Sequence, residues 1–190
     1  MDKSETEKTF FTDLGNYAWA EGSINALADE EIIKGTTSTT YSPANNITRA
    51  DFAILLVRAF KLDSTNTDNF VDVSANDYFA KELAVARNTG LVSGIGDNKY
   101  APRNTITRQD MMLIVYRALN KLGIEMTANG TANANTYADY TNVSEYAKKA
   151  VSTLVAAGLV NGKSGKIAPT DYTTRAEVAV LLKRILDYVK

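Results

Sequence analysis

The chain has 190 residues, of which 45% are hydrophobic and 23% charged, the proportions of an ordinary globular protein built as one compact domain or a few small ones. The net charge of −1 argues against nucleic-acid binding, for which a basic excess is expected, and no apolar run reaches the roughly 18 residues that span a membrane. Because the chain has no cysteine and no histidine, disulfides, cysteine-based metal sites and histidine-based catalysis are excluded.

The first five residues resemble a charged leader segment. They run Met1-Asp2-Lys3-Ser4-Glu5 and include no apolar stretch typical of a signal peptide. Export therefore cannot be inferred from this end of the sequence.

One sequence unit occurs three times, which decides the architecture. An aromatic-x-Asp triplet opens each copy, and a Thr-Arg-x-acid motif follows later in the same copy. Both recur at the same intervals, 59 residues from the first copy to the second and 67 from the second to the third. The opening aspartates are Asp13, Asp72 and Asp139, and the motif arginines are Arg49, Arg108 and Arg175. We assign unit one to residues 10–62, unit two to 69–122 and unit three to 136–190.

A short helix is predicted in the first half of each unit from apolar residues at helical spacing. Its buried positions are expected to be Ile24 and Leu27, Leu83 and Val85, and Val151 and Leu154. Gly90 and Gly158 follow this helix in units two and three, where they suit a left-handed C-cap. Glu31 stands at that place in unit one, which predicts a different or more strained helix end.

A loop with turn residues occupies the middle of each unit. Its glycines are Gly35, Gly94 and Gly162, and its turns are Ser42-Pro43, Ala101-Pro102 and Ala168-Pro169. The glycines most simply provide a turn, although a glycine would also let a bulky ligand approach the backbone. A short strand pair in this loop is possible but not required.

A longer helix is predicted at the end of each unit, with its apolar stripe running from Phe52 to Phe60, from Met111 to Leu122 and from Val178 to Leu186. A unit of two helices has little core of its own, because small domains bury a small fraction of their surface. We therefore predict a mainly α fold in which the three units pack around a shared helical core with pseudo-threefold symmetry. The polar connector 123–136 is expected to be an exposed linker.

The Thr-Arg-x-acid motif has a structural interpretation for two of its residues. The threonine precedes the long helix and can cap it, while the acid lies three residues on, as in a capping box, at the favourable end of the helix dipole. Aspartate reaches the cap less well than glutamate. The expected caps are Thr48 with Asp51, Thr107 with Asp110, and Thr174 with Glu177.

Capping does not account for the motif arginines, because a cation at the first helical position faces the positive end of the helix dipole. One explanation is a salt bridge to an acid of the neighbouring unit. The other is an anionic ligand, since a helix N-terminus beside a guanidinium suits a carboxylate or a phosphate. The residues alone leave both open.

An aromatic residue near the start of each short helix has a similar ambiguity. These residues are Trp19, Tyr78 and Tyr146. Aromatic residues at helix starts usually pack in the core, yet exposed rings also stack against sugars. Trp19 is the only tryptophan of the chain.

At these residues the chain resembles the S-layer homology (SLH) family. The family's signature is an aromatic-x-Asp start, a Trp-Ala pair, a Gly-terminated helix end, an x-Pro turn and a Thr-Arg-Ala-Glu motif. Three copies in register cover roughly residues 10 to 190. Departures are aspartate for the motif glutamate in units one and two, Gln109 for alanine in unit two, and tryptophan in unit one alone.

The resemblance implies a three-pronged, helix-rich spindle on a bacterial cell surface, an anchor without catalytic activity, metal or cofactor. Its partner would be secondary cell-wall polysaccharide, often carrying pyruvylated N-acetylmannosamine, held in grooves between units. The arginines Arg49, Arg108 and Arg175 would meet the carboxylate. Trp19, Tyr78 and Tyr146 would line the grooves, near Gly35, Gly94 and Gly162. We expect a monomeric module of a larger exported protein.

The three grooves are expected to be unequal, with the groove of unit one the strongest candidate and that of unit three the weakest. Two other functions stay open. A protein–protein module for surface-layer assembly predicts exposed apolar patches. A carboxylate-based glycosidase needs two acids facing across a cleft, about 5 to 9 Å apart, whereas the recurring acids here lie at helix caps.

Overall fold

The computed structural model describes residues 10–190, so the leader-like segment Met1–Glu5 lies outside the described residues. Its six α-helices are α1 Ala18–Asp29, α2 Arg49–Ala59, α3 Ala80–Asn88, α4 Arg108–Lys121, α5 Glu145–Ala156 and α6 Arg175–Tyr188. Three short 3₁₀ turns are Gly15–Tyr17, Ala134–Thr136 and Tyr140–Asn142. The described residues form isolated β-bridges and no strand, so the predicted mainly α fold is confirmed.

Each short helix packs on the long helix of the preceding unit. Helix α3 of unit two packs on α2 of unit one, and α5 of unit three packs on α4 of unit two. Helix α1 of unit one packs on α6 of unit three, which closes the arrangement into a ring. A single apolar core runs through all three units, as the pseudo-threefold prediction requires.

Backbone hydrogen bonds close the centre of this ring. Ile47 N–H donates to the carbonyl of Thr173 (2.9 Å), Thr173 N–H to that of Ile106 (3.1 Å), and Ile106 N–H to that of Ile47 (3.2 Å). All three residues are fully buried and come just before the long helices. The three motifs therefore start from one common point.

The first amides of each long helix are satisfied by the loop of the following unit. In α2, Arg49 N–H donates to the carbonyl of Asn104 (2.9 Å) and Ala50 N–H to that of Pro102 (3.0 Å). Helices α4 and α6 make the equivalent pairs. Neighbouring carbonyls thus occupy the first amides of the long helices, and an anion at these N-termini would be bound by the guanidinium and not by those amides.

The ends of the short helices agree with the sequence prediction. Gly90 and Gly158 adopt φ angles of 73° and 71°, and Glu31 adopts the same left-handed backbone with φ 57°. A non-glycine residue pays a conformational cost there, of about 1–2 kcal/mol. Unit one thus keeps the common helix end in a strained form.

The connector 123–136 is mostly exposed, as predicted, but it is fastened to unit three. Thr127 N–H donates to the hydroxyl of Tyr188 (2.9 Å) and Asn129 N–H to the carbonyl of Ala156 (2.7 Å), while Ala134 is buried. The linker prediction missed these anchors because they depend on tertiary contacts. Within residues 10–190, none of the helices has the length and apolarity needed to cross a membrane.

Candidate functional site

Three grooves lie around the ring, and each draws on all three units. We number them by the unit that supplies the long helix and the loop glycine. Groove I contains Asp51, Gly35, Arg175 and Tyr78; groove II contains Asp110, Gly94 and Arg49, with Tyr146 on its rim; groove III contains Glu177, Gly162, Arg108 and Trp19. Their volumes are about 220, 140 and 400 Å³ respectively. The grooves therefore lie between units, as the resemblance implied.

Two of the motif arginines lie over the ring of a tyrosine of the next unit. The guanidinium of Arg49 lies 4.5 Å from the ring centroid of Tyr100, and that of Arg175 lies 4.5 Å from the ring centroid of Tyr41. Each arginine donates its Nε to the carbonyl of the same tyrosine (2.8 and 2.9 Å), whose hydroxyl donates back to the arginine carbonyl. The Nε contacts fix the guanidinium within its groove.

Burial of these tyrosines raises the pKa of both Tyr41 and Tyr100 to about 12, against the opposing effect of the nearby arginine charges. Both phenols therefore stay protonated at neutral pH. They are permanent hydrogen-bond donors that hold the arginines of grooves I and II in place.

The third motif arginine has different surroundings. Ile167 takes the place of the tyrosine, and Arg108 donates Nε to the Ile167 carbonyl (2.8 Å). Its Nη1 lies 3.4 Å from Oε1 of Glu177, and the residue is only 6% exposed. Of the two explanations that the sequence left open, a salt bridge to the neighbouring unit thus applies to Arg108.

The motif threonines cap the long helices as predicted. Thr48, Thr107 and Thr174 each accept a hydrogen bond from the backbone N–H three residues later. Only Glu177 completes a capping box, with Oε2 3.0 Å from the Thr174 amide. The shorter Asp51 and Asp110 do not reach back to that amide and instead accept from the threonine hydroxyls (2.7 Å each).

The three aromatic residues stand at the groove rims and are exposed rather than packed in the core. The exposed fractions are 58% for Trp19, 66% for Tyr78 and 56% for Tyr146. The Tyr78 hydroxyl donates to Asp51 Oδ1 (2.7 Å), and the Tyr146 hydroxyl donates to Asp110 Oδ1 (2.8 Å). Burial of the phenol and then the Asp51 carboxylate raise the pKa of Tyr78 to about 12.

The loop glycines owe their identity to close packing. None of Gly35, Gly94 and Gly162 has a left-handed φ, so the predicted turn does not require glycine for its backbone angle. A Cβ at Gly94 would lie 2.5 Å from the Lys99 carbonyl oxygen and 3.1 Å from the Phe70 ring. At all three positions the aromatic ring of the aromatic-x-Asp triplet fills the space, which explains why both features recur together.

A second arginine in each groove was missed from the sequence. Arg58, Arg117 and Arg184 come seven residues after the motif acids and line grooves I, II and III, two helical turns away. Arg58 pairs with Glu82 (3.0 Å), and Arg184 donates to the Leu159 carbonyl (3.0 Å). Their identical spacing from each motif acid was the signal that could have identified them.

The opening aspartates were recognised as a repeat but not assigned a role. Each carboxylate accepts hydrogen bonds from the two backbone N–H groups before the proline of its x-Pro turn, as Asp72 does from Tyr100 (2.9 Å) and Ala101 (2.8 Å). Burial opposes ionisation of Asp72, but these amide donors outweigh it and lower the pKa below its ordinary value. The clamp also positions Tyr100 beneath Arg49.

The sequence model of the S-layer homology domain matches residues 10–53, 69–112 and 136–179. These three matches account for most of the chain. The chain belongs to the S-layer homology domain family. Each match ends within a long helix, just after the motif and the rim contacts described above.

Curated relatives share this region with otherwise longer proteins. An amylopullulanase from Thermoanaerobacterium thermosulfurigenes is 33% identical over 96% of this chain and 10% of its own length. A surface-layer 125 kDa protein from Lysinibacillus sphaericus is 26% identical over 90% of this chain and 14% of its own. A cellulosome-anchoring protein from Acetivibrio thermocellus is 27% identical over 82% and 35% respectively. The chain therefore spans a tenth to about a third of these relatives.

Among residues 10–190, no group of three or more carboxylates is placed to hold a metal ion. What the grooves present is a guanidinium fixed at one end, an exposed ring at the rim and a second arginine further along the helix. Such an arrangement can bind an anionic group together with an apolar face.

Proposed function

We propose that this chain is a non-catalytic anchoring module that attaches a larger exported protein to a bacterial cell wall by binding anionic secondary cell-wall polysaccharide. The observation that carries the proposal is the repeated pairing of a fixed arginine with an exposed aromatic rim in one groove. A carboxylate meets the guanidinium, and the C–H face of a sugar meets the ring.

The relatives support an anchoring role at the cell surface. Their names include an anchoring protein, surface-layer proteins and polysaccharide-degrading enzymes, and the shared region is a small part of each. A region common to proteins of such different names is best explained by a shared location. The catalytic activities of these enzymes then reside in the rest of their chains.

A pyruvate ketal on N-acetylmannosamine is the anionic group that we propose for the ligand. It offers one carboxylate beside a pyranose ring, which matches one arginine beside one aromatic residue. Grooves I and II present Arg175 and Arg49 partly exposed, each oriented by a tyrosine and a carbonyl. A charge-assisted contact of this kind contributes about 1.5–3 kcal/mol.

The test is cosedimentation of the purified chain with bacterial wall polysaccharide before and after mild acid removal of its pyruvate ketals. The proposal expects binding to intact polysaccharide and its loss after treatment. No binding to either form would instead favour a protein–protein module for surface-layer assembly.

A further inference from the structure

The chain contains two Asn-Gly bonds, Asn129-Gly130 and Asn161-Gly162, and both asparagines are exposed. This dipeptide is prone to spontaneous deamidation, because glycine has no side chain to hinder ring closure. The glycine backbone nitrogen attacks Cγ of the asparagine and closes a succinimide, while the side-chain nitrogen leaves as ammonia with the proton of the backbone amide. Water then opens the ring to aspartate or isoaspartate.

The glycine nitrogen of the first Asn-Gly bond is free to react. Gly130 lies in the connector 123–136, and a Cβ placed on it would meet nothing within 4 Å. Among the backbone hydrogen bonds of residues 10–190, none is donated by the Gly130 amide. Neither packing nor a hydrogen bond therefore opposes rotation of this peptide toward the side chain of Asn129.

The glycine nitrogen of the second Asn-Gly bond is held in place. The Gly162 N–H donates to the hydroxyl of Tyr137 (3.0 Å), and the next residue, Lys163, donates its N–H to the Lys166 carbonyl (2.8 Å). A Cβ at Gly162 would collide with the Tyr137 ring, so the peptide also has no room to turn. Attack on Cγ of Asn161 requires the nitrogen to leave its phenol partner and rotate out of this packing.

The hydroxyl and the asparagine occur together only in unit three. Units one and two have Phe11 and Phe70 in place of Tyr137, and these rings offer no hydrogen-bond acceptor. The residues before their loop glycines are Lys34 and Ser93, neither of which has a side-chain amide. The one unit with a deamidation-prone bond in its groove loop is therefore the one whose triplet aromatic has a hydroxyl.

We infer that the Tyr137 hydroxyl protects the Asn161-Gly162 bond from deamidation and that Asn129 is a site where deamidation proceeds. Asn161 lines groove III, where deamidation would add a carboxylate beside the cations. Isoaspartate would also lengthen the backbone by one atom next to Gly162, where there is no space. The inference goes beyond the proposed function and does not depend on it, because deamidation is detected by mass.

The test follows both asparagines in the folded full-length chain during incubation at mildly alkaline pH. Trypsin separates them into peptides 122–148 and 150–163, in which mass spectrometry measures aspartate and isoaspartate. We expect Asn129 to deamidate at least about tenfold faster than Asn161 in the folded chain, and both at rates within about twofold in urea. Equal rates in the folded chain, or a tenfold difference that persists in urea, overturns the inference.

The variant Tyr137→Phe tests the hydroxyl itself. Phenylalanine keeps the ring and is the residue that units one and two carry at this position, so the fold is retained. Loss of one hydrogen bond should accelerate deamidation of Asn161 about twofold to tenfold and leave the rate at Asn129 unchanged. An unchanged rate at Asn161 would contradict the role assigned to the hydroxyl.

Tyr140→Phe is the matched control, since it removes a phenol hydroxyl from the same unit without removing the hydrogen bond of Gly162. The Tyr140 hydroxyl lies 2.7 Å from Oγ of Ser152. We expect this variant to leave the rate at Asn161 unchanged. An acceleration equal to that of Tyr137→Phe would show that general loosening of unit three, and not the Tyr137 contact, controls the reaction.

Discussion

At the scale of single residues, the motif arginine makes different contacts in different units. Arg49 and Arg175 stack on tyrosines and face their grooves, whereas Arg108 is buried in a salt bridge with Glu177. The sequence alone shows that three arginines recur at one position of the unit. It does not show whether each arginine forms a salt bridge to the neighbouring unit or faces an anionic ligand. The deciding residues lie 51 to 141 positions away along the chain, as the Arg49–Tyr100 and Arg175–Lys34 contacts illustrate.

We expect Arg49→Ala to weaken binding of pyruvylated wall polysaccharide about tenfold or more in calorimetry, because one charge-assisted contact is lost. Its hydrogen bond to Tyr100 contributes about 1 kcal/mol to folding, so the variant should still fold by circular dichroism. Arg103→Ala serves as the control, since that exposed arginine pairs with Asp77 outside the lining of the described grooves. Equal loss in both variants would contradict a specific role for Arg49.

Thr173 occupies the centre of the ring, where its counterparts are Ile47 and Ile106. Its Oγ1 is buried and has no hydrogen-bond partner. We expect Thr173→Val to raise the free energy of unfolding by about 1 kcal/mol, because an unsatisfied buried hydroxyl is replaced by a methyl group of similar size. Urea denaturation measures this, and a destabilised variant would show that the hydroxyl is satisfied in solution.

At the scale of helices and turns, the elements follow from local sequence rules. The apolar periodicity located the six helices, and the threonine caps located the starts of the long ones. The pairing of helices between units was not visible in the same patterns, because an apolar stripe does not specify its partner. The use of loop carbonyls as helix caps was missed for the same reason.

Glu31 gives a direct test of the helix-end interpretation. Glu31→Gly should raise the free energy of unfolding by about 1 kcal/mol, since glycine relieves the left-handed strain at φ 57° and this exceeds its extra chain entropy. Gly158→Ala is the matched control and should lower it by a similar amount. Thermal denaturation measures the change in the free energy of unfolding for both variants. Changes of the same sign in the two variants would contradict the interpretation.

The aspartate clamp predicts a pH dependence. Because the pKa of Asp72 is lower in the folded chain than its ordinary value of 3.8, its contribution to stability is present above that value and is lost as the pH falls through the folded pKa. Asp72→Asn should lower the free energy of unfolding at pH 7 by about 0.5–1 kcal/mol, because solvent screens this exposed carboxylate, and flatten its decline below about pH 4. Urea denaturation across pH 2.5–7 measures both effects, and an equally steep decline in the variant would exclude the clamp.

At the scale of the whole molecule, the sequence repeat is not the packing unit. Each helix pair joins two units, and α1 of unit one completes the pair with α6 of unit three. Pseudo-threefold symmetry around a shared core could be predicted, because a unit with two helices cannot bury its apolar faces alone. The closed ring follows from the central hydrogen bonds of Ile47, Ile106 and Thr173.

This closure should make unfolding cooperative. We expect differential scanning calorimetry to show one transition for the chain, with equal calorimetric and van't Hoff enthalpies. Removal of residues 136–190 would expose the faces of α1 and α4 that α6 and α5 cover, so the shortened chain should lose its cooperative transition. Two or more separate transitions in the full chain would contradict the shared core.

Because the grooves draw on all three units, we propose that guanidinium groups positioned by neighbouring units bind a carboxylate of the wall polysaccharide. Calorimetric titration of wall polysaccharide, with and without its pyruvate ketals, tests this most directly. We expect binding to the pyruvylated polymer and at least a tenfold loss when the ketals are removed. Equal binding of both polymers would contradict the claim and leave the SLH fold without an anion-binding role.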